Sequence, residues 1–381
     1  MFLIASFAFT SCKGESESIS DSSGEYDSYE NTPCIAVLYP PHALGDGSYY
    51  DNISYAVHLS ALENKAIAFD MVPEDLEDAE NKLVVALTLQ YSNKDVLIIC
   101  ADPLYLSFLE KHKQAELEAQ QILLLESREV DNPYISTAIL PNYGMSYLSG
   151  VAVKTLFNTL GLEKGKAICL LANDTNSQLL DGLKGFSDGF DEGWNGKIYS
   201  PEDAVFEEGE FAEYRKNAPF VAVKLVDDET EESMNNEEIS LAGFDKATAA
   251  YVLSVILQSS ENPYDFYYPL CGSSIQGLLR YSQENHDYPF LTAGVNSEVM
   301  AYSDYVVFSA IKHIDKVVKL CISQWLNDKT IPHFQEFGLK DGYTEVVVDG
   351  FLAKYITVLK EAVEEAKETA ILKEREYEDK Q

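Results

Sequence analysis

The chain of 381 residues carries 63 acidic and 28 basic side chains, a formal net charge of −35, and its isoelectric point lies near 4.4. Such a charge repels phosphate backbones and anionic bilayer surfaces, which excludes nucleic acid as a partner. Its 46% apolar and 24% charged residues exclude disorder throughout, a collagen-like chain and a disulfide scaffold, and the length predicts two or three domains.

Residues 1–9, MFLIASFAF, are almost all apolar but too few to span a bilayer. They run into Thr10-Ser11-Cys12, which reads as the tail of a lipoprotein signal with Cys12 as the lipidated first residue of the mature chain. No Lys or Arg precedes Cys12, so the charged start of that signal is expected further upstream. Residues 13–32 are rich in Ser and acid and cannot bury a core, which suits a tether.

From Pro33 short apolar runs alternate with helical stretches. CIAVLY (34–39) leads to a helix over 51–64, then AIAFDM ending at Met71 and an acidic amphipathic helix over 74–90. DVLIIC (95–100), a helix over 104–119, QILLLE (121–126) and ISTAIL (135–140) follow. After Asn142-Tyr143-Gly144 the alternation restarts, with a helix over 145–160, KAICLLA (166–172), a helix over 177–192, FVAVKL (220–225) and a helix over 246–258. Then come DFYYPL (265–270), a helix over 275–284, PFLTAG (289–294), VVFSA (306–310), a helix over 311–327, EVVV (345–348) and a charged C-terminal helix. Continuous apolar runs between helices are the pattern of parallel strands covered on both faces, so two doubly wound α/β lobes around a cleft are expected. The segment 227–238 reads as a solvated acidic loop.

The sequence holds no phosphate-binding loop, no HExxH and no metal spacing among its six His, and the Cys at 34, 100 and 169 sit in strand-like runs as small hydrophobes. No metal, no cofactor and no enzyme activity is expected. One GxSxG string, Gly185-Phe186-Ser187-Asp188-Gly189, lies over ten residues past its strand and inside a helical pattern, which is the wrong context for a nucleophile elbow. Ligands of open α/β sheets bind at the carboxyl ends of strands. Four loops stand there: Ala43–Asp51, Gly243-Phe244-Asp245, Pro269–Gly277 and Gly294–Glu298. Each also reads as a turn or helix cap, but caps leave the Tyr49-Tyr50 pair unexplained.

These loops, in this order, resemble the basic membrane protein family of substrate-binding lipoproteins, of purine-nucleoside-receptor type. Leu44-Gly45-Asp46-Gly47-Ser48-Tyr49-Tyr50-Asp51 is similar to the family's Leu-Gly-Asp-Lys-Ser-Phe-Asn-Asp. Ser146–Ala152, Leu183–Phe190, Val307–Asp315 and Phe337–Gly342 resemble four further family segments, and the likeness spans roughly 33–348. The resemblance implies a type I periplasmic-binding fold with three hinge crossings. The N-terminal lobe is then 33–141 plus 310–333, the C-terminal lobe 142–309 plus 334–350, and 351–381 a C-terminal helix. It implies a monomeric receptor, lipid-anchored in the bacterial cell envelope, that delivers a small solute, usually a nucleoside, to an ABC permease. Residue by residue, it puts Tyr49 and Phe244 on the two faces of a flat ring, Asp46 and Ser48 on its polar edges, and Glu126 where the family often has Asp. Asn296 stands in the place of the ribose-binding Asp, and Lys312 matches the hinge Lys that reaches the ligand. Asp51 and Asp102 are expected along the cleft, and Gly272 lets the ligand approach the backbone. With Gly47, Tyr50, Asn296 and Cys271–Ser274 departing from the family pattern, a ring with fewer diols or another small polar metabolite stays open. So do a sensory role toward a membrane partner and, for want of an activated nucleophile less favoured, a hydrolase.

Overall fold

A computed structural model describes residues 32–89, 95–118, 121–190, 194–205, 209–225, 244–259, 263–284, 290–298, 303–349 and 353–381. Cys12, the tether up to residue 31 and the loop 227–238 lie outside the described residues.

In chain order the elements are β1 (Cys34–Leu38), α1 (Tyr49–Glu63), β2 (Ile67–Met71), α2 (Leu76–Thr88), β3 (Val96–Cys100), α3 (Tyr105–Leu109), α4 (Gln114–Leu117), β4 (Gln121–Leu125), β5 (Ile135–Ile139), α5 (Tyr143–Leu160) and β6 (Ala167–Leu171). They continue as α6 (Ser177–Phe190), β7 (Ile198–Tyr199), α7 (Pro201–Val205), α8 (Glu210–Asn217), β8 (Phe220–Lys224), α9 (Phe244–Ser259), β9 (Phe266–Leu270), α10 (Ile275–Glu284), β10 (Leu291–Asn296), β11 (Val306–Lys312), α11 (Ile314–Asp328), β12 (Phe334–Glu336), β13 (Thr344–Val347) and α12 (Ala353–Glu378).

Two sheets result. The first has the order β12-β5-β4-β3-β1-β2 and is parallel throughout; the second, β13-β11-β10-β9-β6-β8-β7, is parallel except for β13. Every residue of β1, β3, β6, β8 and β9 is buried, as expected of strands covered by helices on both faces. Cys34, Cys100 and Cys169 are buried within those strands. Strand order reverses between β1 and β3 in one lobe and between β6 and β9 in the other, so each lobe has a topological switch point at its sheet's carboxyl edge.

The chain crosses between lobes three times: after β5, between β11 and α11, and between β12 and β13. Two crossings differ from the sequence-based boundaries. β11 runs to Lys312 within the second sheet, and β12 pairs with β5 of the first, so 334–336 belong to the N-terminal lobe. The helix expected over 104–119 is interrupted, because Lys113 adopts an extended backbone between α3 and α4. β7 and β12, two and three residues long, carry too little pattern to be read in advance.

The GxSxG string lies within α6, and Ser187 is buried there. Its glycines serve helix packing. A Cβ at Gly185 or Gly189 would lie 2.2 Å from the Tyr143 carbonyl oxygen or 2.0 Å from that of Tyr147, both on α5, so α5 and α6 touch backbone to backbone. The C-terminal helix α12 is part of the C-terminal lobe. Leu359, Val363 and Ala370 are buried against its core, and the Tyr377 ring stacks on Tyr143 with centroids 4.6 Å apart. Buried Glu374 accepts from the backbone N–H of Gly144 at 2.8 Å and of Leu339 at 3.0 Å, tying α12 to two of the three crossings.

Candidate functional site

The two switch points face each other across a cavity of about 140 Å³. Its N-lobe wall comes from the loops after β1, β3 and β4, and its C-lobe wall from the loops after β6, β9 and β10.

The loop after β1 is held by its own carboxylates. Asp46 accepts from the backbone N–H of Ser48 at 2.9 Å, Tyr50 at 3.1 Å and Asp51 at 3.2 Å, so it caps α1 in place of Ser48. Asp51 accepts from Gly45 N–H at 2.8 Å and Gly47 N–H at 2.7 Å. Both glycines have positive φ, which a side chain would strain. This bracing presents Tyr49 and Tyr50 edge-to-face, with centroids 5.2 Å apart, on the cavity wall. The Tyr50 hydroxyl donates to Asp102 at 2.7 Å, and burial raises the Asp102 pKa above the ordinary carboxylate value. Burial also raises that of Asp46, against the pull of its three backbone donors. The Tyr49 hydroxyl is buried without a partner at hydrogen-bond geometry, and burial, then the charge of Glu126, push its pKa well up.

Contacts among the described residues also join the two lobes here. Lys312 Nζ meets Glu126 Oε1 at 2.8 Å, both side chains nearly inaccessible to solvent, and the hydroxyls of Ser48 and Ser297 lie 2.9 Å apart. Glu126 and Asn296, at the ends of β4 and β10, both have positive φ (56° and 71°). Asn tolerates this region; for Glu it is strain, of a kind that gathers at functional sites. Glu126→Gln keeps the size but removes the charge facing buried Lys312. It is expected to lower the unfolding free energy by about 1.5–3 kcal/mol, read by urea denaturation.

Of the residues expected from sequence, Asp46, Ser48, Tyr49, Asp102, Glu126, Gly272, Asn296 and Lys312 line the cavity. Asp51 does not; its oxygens are engaged by the loop. Phe244 opens α9, and its side chain lies outside the described residues. Lys312 was expected to reach the ligand and here reaches Glu126. Sequence reasoning missed His42, Asn142, Asn173, Asn176 and Gln178, which line the cavity as well. For the last three the signal was the run Asn173–Gln178, which follows a strand just as the chosen loops do. Among the described residues no helix is long and apolar enough to cross a membrane.

No protein-family model matches the chain, and no curated protein matches it in sequence. Solved structures do resemble it. A solute-binding protein of an ABC transporter system from Aeropyrum pernix K1 superposes with a TM-score of 0.63 at 16% identity, over 90% of this chain and 86% of the other. A periplasmic solute-binding protein of an ABC transporter from Actinobacillus succinogenes 130z, with bound D-allose, gives 0.55 at 14%, over 83% and 98%. A transcriptional activator of the comK gene from Bacillus halodurans gives 0.58 at 11%, over 89% and 98%. At these identities the likeness concerns architecture, and this chain has the two-lobe α/β fold of type I periplasmic-binding proteins.

Proposed function

We propose that the chain is the lipid-anchored solute-binding receptor of an ABC importer, taking a small neutral, nucleoside-like solute between its lobes. The observation that carries this reading is the cavity itself. It joins two switch points, is lined from both lobes, and is bridged by the contacts Glu126–Lys312 and Ser48–Ser297, which solute binding and lobe opening would remake. Charge supports a neutral solute. Glu126 neutralises Lys312, so a phosphate would meet Asp46 and Asp102 with no unpaired Lys or Arg on the cavity wall among the described residues. The sequence resemblance to purine-nucleoside receptors supports a flat ring, with Tyr49 on one face and Phe244 on the other, and supports Cys12 as the anchor. A sensory role is the second reading, favoured by the regulator that shares this fold. Burial of Ser187 inside α6 speaks against a hydrolase built on the GxSxG string.

Thermal-shift titration of the purified protein with nucleosides and monosaccharides is expected to give saturable stabilisation by at least one of them. Tyr49→Ala is expected to weaken that solute by about 1–3 kcal/mol, a five- to 150-fold rise in Kd. No stabilisation by any of them would sink the reading; unchanged affinity of the Tyr49 variant would sink the stacking role.

A further inference from the structure

Two cavity side chains lie outside everything the sequence resemblance carries over. Asn142, just before α5, and Gln178, in the first turn of α6, line the C-lobe side and are 5% and 6% exposed. Their donor ends are engaged by the protein. Asn142 Nδ2 donates to the Gln178 carbonyl at 2.8 Å, and Gln178 Nε2 faces Asp181 Oδ2 at 3.5 Å. Their acceptor ends, Asn142 Oδ1 and Gln178 Oε1, are buried and have no partner.

Turning the amides over does not help. Asn142 Oδ1 would then oppose a carbonyl, and Gln178 Oε1 a carboxylate, so both unmet groups are acceptors by construction. Asp181 is itself fixed from behind. It accepts from the Tyr377 hydroxyl at 2.8 Å and from the Arg128 guanidinium at 2.9 Å, and Arg128 is also bound by Glu378. Buried acceptors left unmet are costly, so a ligand that donates to both is selected over one that cannot.

We propose, resting on the solute-binding reading above, that Asn142 and Gln178 form a subsite for a pair of hydroxyl groups on the solute, one donating to each amide oxygen. Asp181 is a positioning residue that keeps the Gln178 oxygen turned from its own carboxylate. Hydroxyls fit better than an ammonium, because the two acceptors are uncharged and the carboxylate beside them is already paired with Arg128.

The test is calorimetric titration of the full chain with inosine, guanosine, uridine and D-allose, each beside its dideoxy analogue. The parent compound that binds is expected to exceed its analogue by about 10- to 100-fold. Gln178→Met and Asn142→Leu should each lower affinity for the parent about tenfold and leave the analogue within about twofold. Asp181→Asn should shrink the parent-to-analogue ratio without weakening the analogue. The subsite is overturned if the parent and analogue bind wild type equally, or if the variants weaken both alike, as they would were the oxygens satisfied by enclosed water. Either result leaves the solute-binding reading standing, since wild type still binds. If wild type binds none of the eight compounds, the receptor reading fails and the subsite fails with it. Should one amide variant not fold, the other amide variant and Asp181→Asn decide, because Asn296 alone would also make wild type prefer the parent.

Discussion

Gly189→Ala is expected to destabilise the protein by at least about 2 kcal/mol and to loosen the C-terminal lobe. The new Cβ would sit 2.0 Å from the Tyr147 carbonyl oxygen and 2.9 Å from its carbon. Those are backbone atoms of α5, and no rotamer change moves them. The cost therefore belongs at the top of the overpacking range, about 3 kcal/mol, against about 1 kcal/mol gained from replacing a helical Gly by Ala. Gly150 completes the seam from the other side, with its own added Cβ 2.3 Å from the Phe186 carbonyl oxygen. Gly182→Ala is the control. There the closest atoms, at 3.1 and 3.2 Å, are the methyl carbons of Leu270, a side chain that can shift, and the change should stay within about 1 kcal/mol. Urea midpoints of the two variants decide the matter: if Gly189→Ala unfolds with wild type, the backbone-contact account of α5 and α6 is wrong.

Glu374→Ala is expected to lower the unfolding free energy by about 2–6 kcal/mol at pH 5, because it orphans the buried N–H groups of Gly144 and Leu339 at about 1–3 kcal/mol each. The size of the loss depends on pH. Burial pushes the Glu374 carboxyl up to about 7 from an ordinary 4.5, so the folded state holds this proton more tightly than the unfolded chain does. The stability tied to that proton is complete below about pH 4.5, falls as pH rises through 7, and is level above. About 2.5 pH units at 1.36 kcal/mol each give an excursion of roughly 3 kcal/mol. Wild type loses that amount between pH 4.5 and 7 and the Ala variant does not, so the gap between them should narrow by roughly 3 kcal/mol from pH 5 to pH 8. Glu336 and Glu378, whose carboxyls are also raised by burial, titrate in both proteins. Denaturation curves at pH 5 and 8 for both proteins test this, and a gap that widens with pH would contradict the burial argument.

The strands were legible because their residues are apolar on both faces: Cys34–Leu38 and Ala167–Leu171 admit no half-exposed reading. The cavity was partly legible because open α/β sheets place ligands at strand ends, and eight expected residues meet there. What failed did so for local reasons. Asn173 and Asn176 look like turn formers, and they are: they accept from the backbone N–H of Thr175, Asn176, Gln178 and Leu179. Their second position, on the cavity wall, exists only once the lobes face each other. Asp51 is the opposite case: a carboxylate in the first turn of α1 looked available, while two glycine N–H groups of the preceding loop claim it. The charge of 351–381 hid a buried stripe. Ile356, Leu359, Val363, Ala366 and Ala370 recur every three or four residues and seat α12 on the lobe core.

That seating also bears on how the two lobes are joined. The bonds that hold α12 join Gly144 to Glu374 and Arg128 to Glu378, 230 and 250 residues apart in the chain. Closing a loop of that length from a flexible chain costs about 5 kcal/mol in entropy, whereas the αβ units on either side close over a few tens of residues. Single units such as β1–α1–β2 can therefore form on local contacts while the crossings at Gly144 and Leu339 still lack their shared acceptor, whereas β12 reaches β5 only across nearly 200 residues. With Glu374 and Glu378 in place, α12 turns the tether between the two lobes into a joint.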